Sequence, residues 1–167
     1  MLQPTLSGAT LLLRPLADDD FEPLYAAASD PLIWAQHPSQ NRYQRPVFEQ
    51  WFLAAIESKG ALVVIDANNG QIIGSSRYYD WDEVAKEVAI GFTFLRRPYW
   101  GGATNAEMKK LMIDHALQSV DTIWFHVGPN NIRSQRALDK IGARFSHRAH
   151  KELAGQLVDY FFYVVRR

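Results

Sequence analysis

The stretch WGGATNAEMKK (100–110) decides how this chain is read. Two glycines and a run of small residues lead into helical spacing, and the preceding segment EVAIGFTFL (Glu87–Leu95) has strand character. A strand, a small-residue turn and a helix N-terminus together make an anion site out of main chain. The first turn of a helix carries N–H groups with no intrahelical partner. The macrodipole adds roughly half a positive charge there. Small side chains let a phosphate or pyrophosphate approach. Neither the glycine–lysine P-loop pattern nor a G-x-G-x-x-G fingerprint occurs in the chain.

Composition narrows the setting. At 167 residues with 47% hydrophobic content, one domain spanning 1–167 with a sizeable core is expected. Zero formal net charge and a pI of about 7.0 give no case for nucleic acid or an anionic membrane as a partner. With no cysteine, disulfides, thiolate metal ligands and a cysteine nucleophile are excluded. The five histidines show no metal-ligand spacing, so no metal is expected. The beginning MLQPTLSGATLLLRPL lacks the features of a signal peptide, and no apolar run reaches the roughly 20 residues of a membrane span. A cytoplasmic location is the expectation.

Along the chain, 9–13 reads as a strand, and Asp18-Asp19-Asp20 opens a helix, where acidic residues suit the dipole better than a metal. Pro31 is read as ending that helix. Residues 32–46 form a loop or broken helix, and 47–58 a second helix. Ala61–Asp66, 71–79 and Glu87–Leu95 form an antiparallel meander, its first turn marked by Asn68-Asn69-Gly70. A helix over 106–118, a strand Thr122–Val127, a helix over 132–141 and a closing hairpin (145–152 and 157–165, around Ala154-Gly155) complete a mixed α/β order.

A second motif gives the turn its meaning. After Thr122–Val127 comes GPNNIRSQRALDKIGARF, with Asn131 and Ser134 at a helix start and Lys140 and Gly142 at its end. Together the motifs resemble the GNAT superfamily of acyl-CoA-dependent N-acetyltransferases, and within it the ribosomal-protein N-terminal acetyltransferase branch. LLLRPLADDDFEPLYAAASDPLIW is similar to that branch's N-terminal signature and RPYWGGATNAEMKKLM to its pyrophosphate turn. The usual turn has glutamine or arginine, then glycine, then glycine or alanine. Here Trp100, Ala103 and Asn105 take those places, with Gly102 one position early.

The resemblance implies a GNAT fold: a mostly antiparallel sheet of about seven strands, splayed between the fourth (Glu87–Leu95) and fifth (Thr122–Val127), with about four helices. It implies acetyl-CoA as cosubstrate, cradled by Gly101, Gly102, Ala103, Thr104 and Asn105. The pantetheine would pair near Phe94 and Leu95, and Asn131 and Ser134 would contact it. A primary amine, on a protein N-terminus or a small molecule, would attack directly. The resemblance also allows a homodimer.

Neutralising an α-amine of pKa about 7.8 at about pH 7.5 costs only about 0.6 kcal/mol, against about 4 kcal/mol for a lysine. An α-amine therefore needs little help from a base. Glu87 is the carboxylate candidate, against its reading as a strand-end charge. Ser134 is read either as proton donor to the thiolate or as helix cap. Trp34, His37, Arg77 and Tyr78 are the acceptor-side candidates, with Arg42 and Tyr79 nearby. The altered turn leaves open a module that binds acyl-CoA without turnover, or transfer of a longer acyl chain.

Overall fold

The computed structural model describes residues 2–153 and 155–167. The elements are β1 (Leu6–Ser7), β2 (Leu11–Pro15), α1 (Phe21–Ala28), α2 (Pro31–Trp34), α3 (Arg45–Ser58), β3 (Ala61–Asp66), β4 (Ile72–Asp82), β5 (Glu87–Leu95), α4 (Thr104–Ala116), β6 (Thr122–Val127), α5 (Ile132–Lys140), β7 (Arg144–Leu153) and β8 (Gln156–Arg166). The strands form one eight-stranded sheet in the order β1-β2-β3-β4-β5-β6-β8-β7. The mixed α/β class and the meander are as expected. The extra strand is the two-residue β1, and the extra helix is the single turn α2.

Proline accounts for one difference from the sequence reading. Pro31 opens α2 rather than ending α1, which stops at Ala28. Its missing N–H falls where a helix has no use for one, and the Asp30 carboxylate caps the Leu32 N–H at 3.0 Å. In the β3–β4 turn only Gly70 of the Asn-Asn-Gly run takes a left-handed φ, +73°. The acidic run also has a definite role. Asp20 is buried, pairs with Arg14 at 2.8 Å and accepts the Ala17 N–H. Ala154, half of the expected closing turn, lies outside the described residues.

Helices cover both faces of the sheet, so β3 is buried along nearly its whole length. Leu62 and Val64 join Met108 and Met112 of α4 in one core. Ala61, Val63 and Ile65 point the other way, into a core with α1, α2 and α3 that includes Trp34, Phe48 and Trp51. This two-sided alternation fixes which strand residues face which helices.

The sheet opens at one seam. β5 and β6 are parallel and in register only at Glu87/Thr122, Val88/Ile123 and Ala89/Trp124. Beyond Ala89 they separate. On its other side β5 carries a bulge, where the register with β4 shifts between Ser75 and Arg77 and Phe92 takes a φ of +52°. A bulge bends the strand that carries it, and β5 parts from β6 just before this one.

Candidate active site

The gap between β5 and β6 holds a cavity of about 210 Å³ that passes through the sheet. On the α4 face it is lined by Asn105, Lys109, Phe125 and Leu138; on the other by His37, Arg42, Tyr79, Phe92, His126 and Tyr160. Gly101, Trp100, Asn131 and Ser134 close its end beside the turn.

The turn keeps its donors free. Among the described residues, the main-chain N–H groups of 101–106 make no hydrogen bond within the protein. Gly101 has a φ of +73°, open to glycine at little cost. A Cβ added at Gly101 or Gly102 would meet nothing within 4 Å. Uncommitted N–H groups at a helix start, with no bulk above them, fit a pyrophosphate. Trp100 braces this turn: its indole N–H donates to the Leu95 carbonyl at 2.9 Å, and the Arg133 guanidinium lies 3.6 Å from its ring centroid.

Ser134 and Asn131 divide the roles the sequence left open. Asn131 is the N-cap of α5, its side-chain oxygen accepting the Ser134 N–H at 3.3 Å. Ser134 is therefore not the cap. Its hydroxyl has no partner among the described residues and lines the cavity.

The structure does not bring the other candidates together as the sequence reading expects. Glu87 stands at the closed start of β5, level with Thr122, whereas the cavity begins at Ile90. Its carboxylate is thus outside the cavity. Glu87→Gln is expected to leave the pH–rate profile unchanged and the rate within about twofold, as steady-state assays would check. Tyr78 points away, its hydroxyl donating to the Met112 carbonyl at 2.6 Å on the α4 side. Trp34 is buried beneath the site, its indole N–H on the Ala28 carbonyl at 2.9 Å. Arg77 lies behind Phe92 and does not line the cavity. Between the lining residues Gly101 and Asn105, Gly102 and Ala103 complete the turn and Thr104 opens α4. His37, Phe94 and Leu95 do line it.

Two groups escaped the sequence reading, His126 and Lys109. His126 and Tyr79 share a 2.6 Å hydrogen bond on the acceptor face. Burial, reinforced by nearby Lys151, lowers the His126 pKa to about 4, so its ring is neutral at physiological pH. Burial also pushes the Tyr79 hydroxyl well above the usual phenol range. The strand TIWFHV held this signal: Ile123, Phe125 and Val127 share one face, which leaves Trp124 and His126 on the other. His37 is neutral too, lowered to about 3 by burial and then by Arg42 and Arg133, and its Nδ1 accepts the Ser39 N–H. The second is Lys109, which has no carboxylate partner among the described residues. Its Nζ donates to Thr93 Oγ1 at 2.7 Å, and that oxygen lies 2.8 Å from Ser76 Oγ. Burial lowers its pKa to about 7.

Comparison with known proteins gives this arrangement its family. Residues 10–144 match the family described as Acetyltransferase (GNAT) domain, so the chain belongs to the GNAT acetyltransferases, which transfer acyl groups from acetyl-CoA. Solved structures agree on the fold. A GCN5-related N-acetyltransferase from Brucella melitensis superposes with a TM-score of 0.83 at 20% identity, over 98% of this chain and 79% of the other. Mycobacterium smegmatis RimJ, solved in complex with CoA-disulfide, gives 0.76 at 15% identity, covering 98% and 88%. A ribosomal-protein-S5-alanine acetyltransferase from Vibrio fischeri gives 0.70 at 18%, covering 98% and 96%. No curated protein matches the sequence at a significant level. Among the described residues no group of three or more His, Asp or Glu side chains is arranged to hold a metal ion. Nor is any helix among them long and apolar enough to cross a membrane.

Proposed function

We propose that this protein is an N-acetyltransferase in which a primary amine attacks acetyl-CoA directly. The observation that carries the reading is the cavity through the opened β5–β6 seam. At its end the free N–H groups of 101–106 would take the pyrophosphate. The unpaired edge of β5 near Phe94 and Leu95 would take the pantetheine. Acetyl-CoA supplies an activated acetyl thioester. The amine nitrogen forms a bond to the acetyl carbon, the C–S bond breaks, and the amine gives up a proton.

The chain's own residues share this work. Holding both reactants in one cavity removes most of the entropic barrier. In its protonated form, held up to about pH 7, Lys109 supplies positive charge inside the gap, where negative charge develops on the carbonyl and then on the leaving sulfur. The free Ser134 hydroxyl donates to the departing thiolate. His126, with a pKa of about 4, would take a proton from a ground-state ammonium at a cost of about 5 kcal/mol. It acts later, once C–N bonding has made the nitrogen far more acidic.

Release of free thiol from acetyl-CoA, followed across a panel of primary amines, tests the function. Amine-dependent release supports it; binding without release from any amine would instead support a module that senses acyl-CoA. Because an α-amine needs little base, His126→Gln is expected to lower kcat only about tenfold. The acetyl-CoA Kd should stay within about twofold, as isothermal calorimetry would show.

A further inference from the structure

The acceptor face of the cavity carries buried positive charge that the protein does not neutralise. Arg42 is 7% exposed and lines the cavity, yet its guanidinium has no hydrogen bond or ion pair among the described residues. Arg77 is 6% exposed, and its Nε and one Nη are buried without any hydrogen-bond partner. Both are held on aromatic faces: Arg42 lies 5.2 Å from the Trp34 ring, and Arg77 3.9 Å from Phe92 and 5.5 Å from Trp51. Burial and mutual repulsion lower the Arg42 pKa to about 10, so it remains charged at neutral pH.

The nearby carboxylates leave this charge unbalanced. Asp80 is taken by Lys151 at 2.6 Å. Glu152 lines the cavity but is exposed, and among the described residues it forms no ion pair or hydrogen bond with either arginine. His37 and His126, on the same face, are neutral. Burying one unpaired guanidinium is expensive, and placing a second near it more so. The planar fork of arginine matches a carboxylate, and the charge-assisted bond is among the strongest a site can make.

We infer that the acceptor is a small amine bearing a carboxylate, an amino acid, whose carboxylate is held by Arg42 with Arg77 behind it. The inference deepens the N-acetyltransferase reading and rests on it. It separates a free amino acid from a protein N-terminus, whose α-carboxylate is consumed in a peptide bond.

The test is a thiol-release panel at saturating acetyl-CoA. It pairs α-, β- and γ-amino acids with their primary amides and adds short peptides, one of them beginning with aspartate. At least one amino acid should be acetylated with a kcat/KM about a hundredfold above its amide and above every peptide. In Arg42→Gln that preference should fall to about fivefold or less through KM, with the acetyl-CoA Kd held within about twofold. Equal turnover of acids and amides by the natural protein would overturn the inference without any variant. So would a preference for peptides, or an Arg42→Gln effect confined to acetyl-CoA affinity. If no amine releases thiol, the transferase reading itself fails. Calorimetry of the acids against their amides on the CoA-loaded protein then still decides whether the arginines form an anion site.

Discussion

Gly102→Glu abolishes productive acetyl-CoA binding while leaving the fold intact; this is the largest functional effect expected of a single substitution here. A side chain at 102 meets no neighbour within 4 Å, and the position does not need a left-handed backbone. The protein should therefore melt within a few degrees of its usual Tm. The added carboxylate would sit among the free N–H groups of 101–106. At about 5 Å and an effective dielectric of about 20, each phosphate charge is opposed by about 3 kcal/mol. The Kd should rise more than a hundredfold by calorimetry. Gly102→Ala, adding bulk without charge, should cost less than about fivefold. Unchanged affinity in the glutamate variant would remove the pyrophosphate from this turn.

Lys109→Met is expected to stabilise the protein and slow it. The Lys109 side chain is enclosed, with one hydroxyl partner and the Phe125 ring 5.8 Å away. Its pKa falls from 10.5 to about 7 on folding. Below about pH 7 the ammonium is charged in both folded and unfolded chains, and the folded state bears the whole cost of burying it. Between about pH 7 and 10.5 only the unfolded chain holds the proton, so stability rises with pH and the cost disappears. The span corresponds to on the order of 5 kcal/mol. Methionine, of similar length and uncharged, should thus raise Tm by roughly ten degrees at pH 6 and by little at pH 10. A gain equal at both pH values would show that desolvation of the charge is not the cause. If the ammonium also steadies developing negative charge, kcat should fall about a hundredfold in the same variant.

Much of the fold could be read from the chain because its local signals agree. The short apolar runs of β3 and β6, Gly70 in the first hairpin and the apolar stripe of α4 all point to the elements that form. The site was less legible, for reasons that differ by residue. Lys109 stands four residues after Asn105 and three before Met112, on the inward stripe of α4. Periodicity places it inside; only the habit of assigning lysine to solvent hides it. Tyr78 and Tyr79 are adjacent on one strand, and which of them faces the acceptor follows from the pairing of Ser76 with Leu62, a residue of the α4-side core, which puts Tyr78 on that side and leaves Tyr79 to the acceptor. That register joins two strands across a turn, and no local signal at the tyrosines carries it. Glu87 shares a face with Ala89 as alternation requires, but how far the seam stays closed is set by the β5–β6 register. Arg42 lies in a segment without periodicity, and its burial is a property of the assembled aromatic layer beneath it.

The three-residue parallel seam has a mechanical consequence. β1 to β5 form one antiparallel ribbon, and β6, β8 and β7 another, and among the described residues the pairs from Glu87/Thr122 to Ala89/Trp124 are the only strand pairing that joins them. A ligand laid along the open edge of β5 would act as a wedge-shaped splint between the two ribbons. Occupancy and sheet continuity would then be one event, and the empty protein would be softest along the line where its chemistry is done.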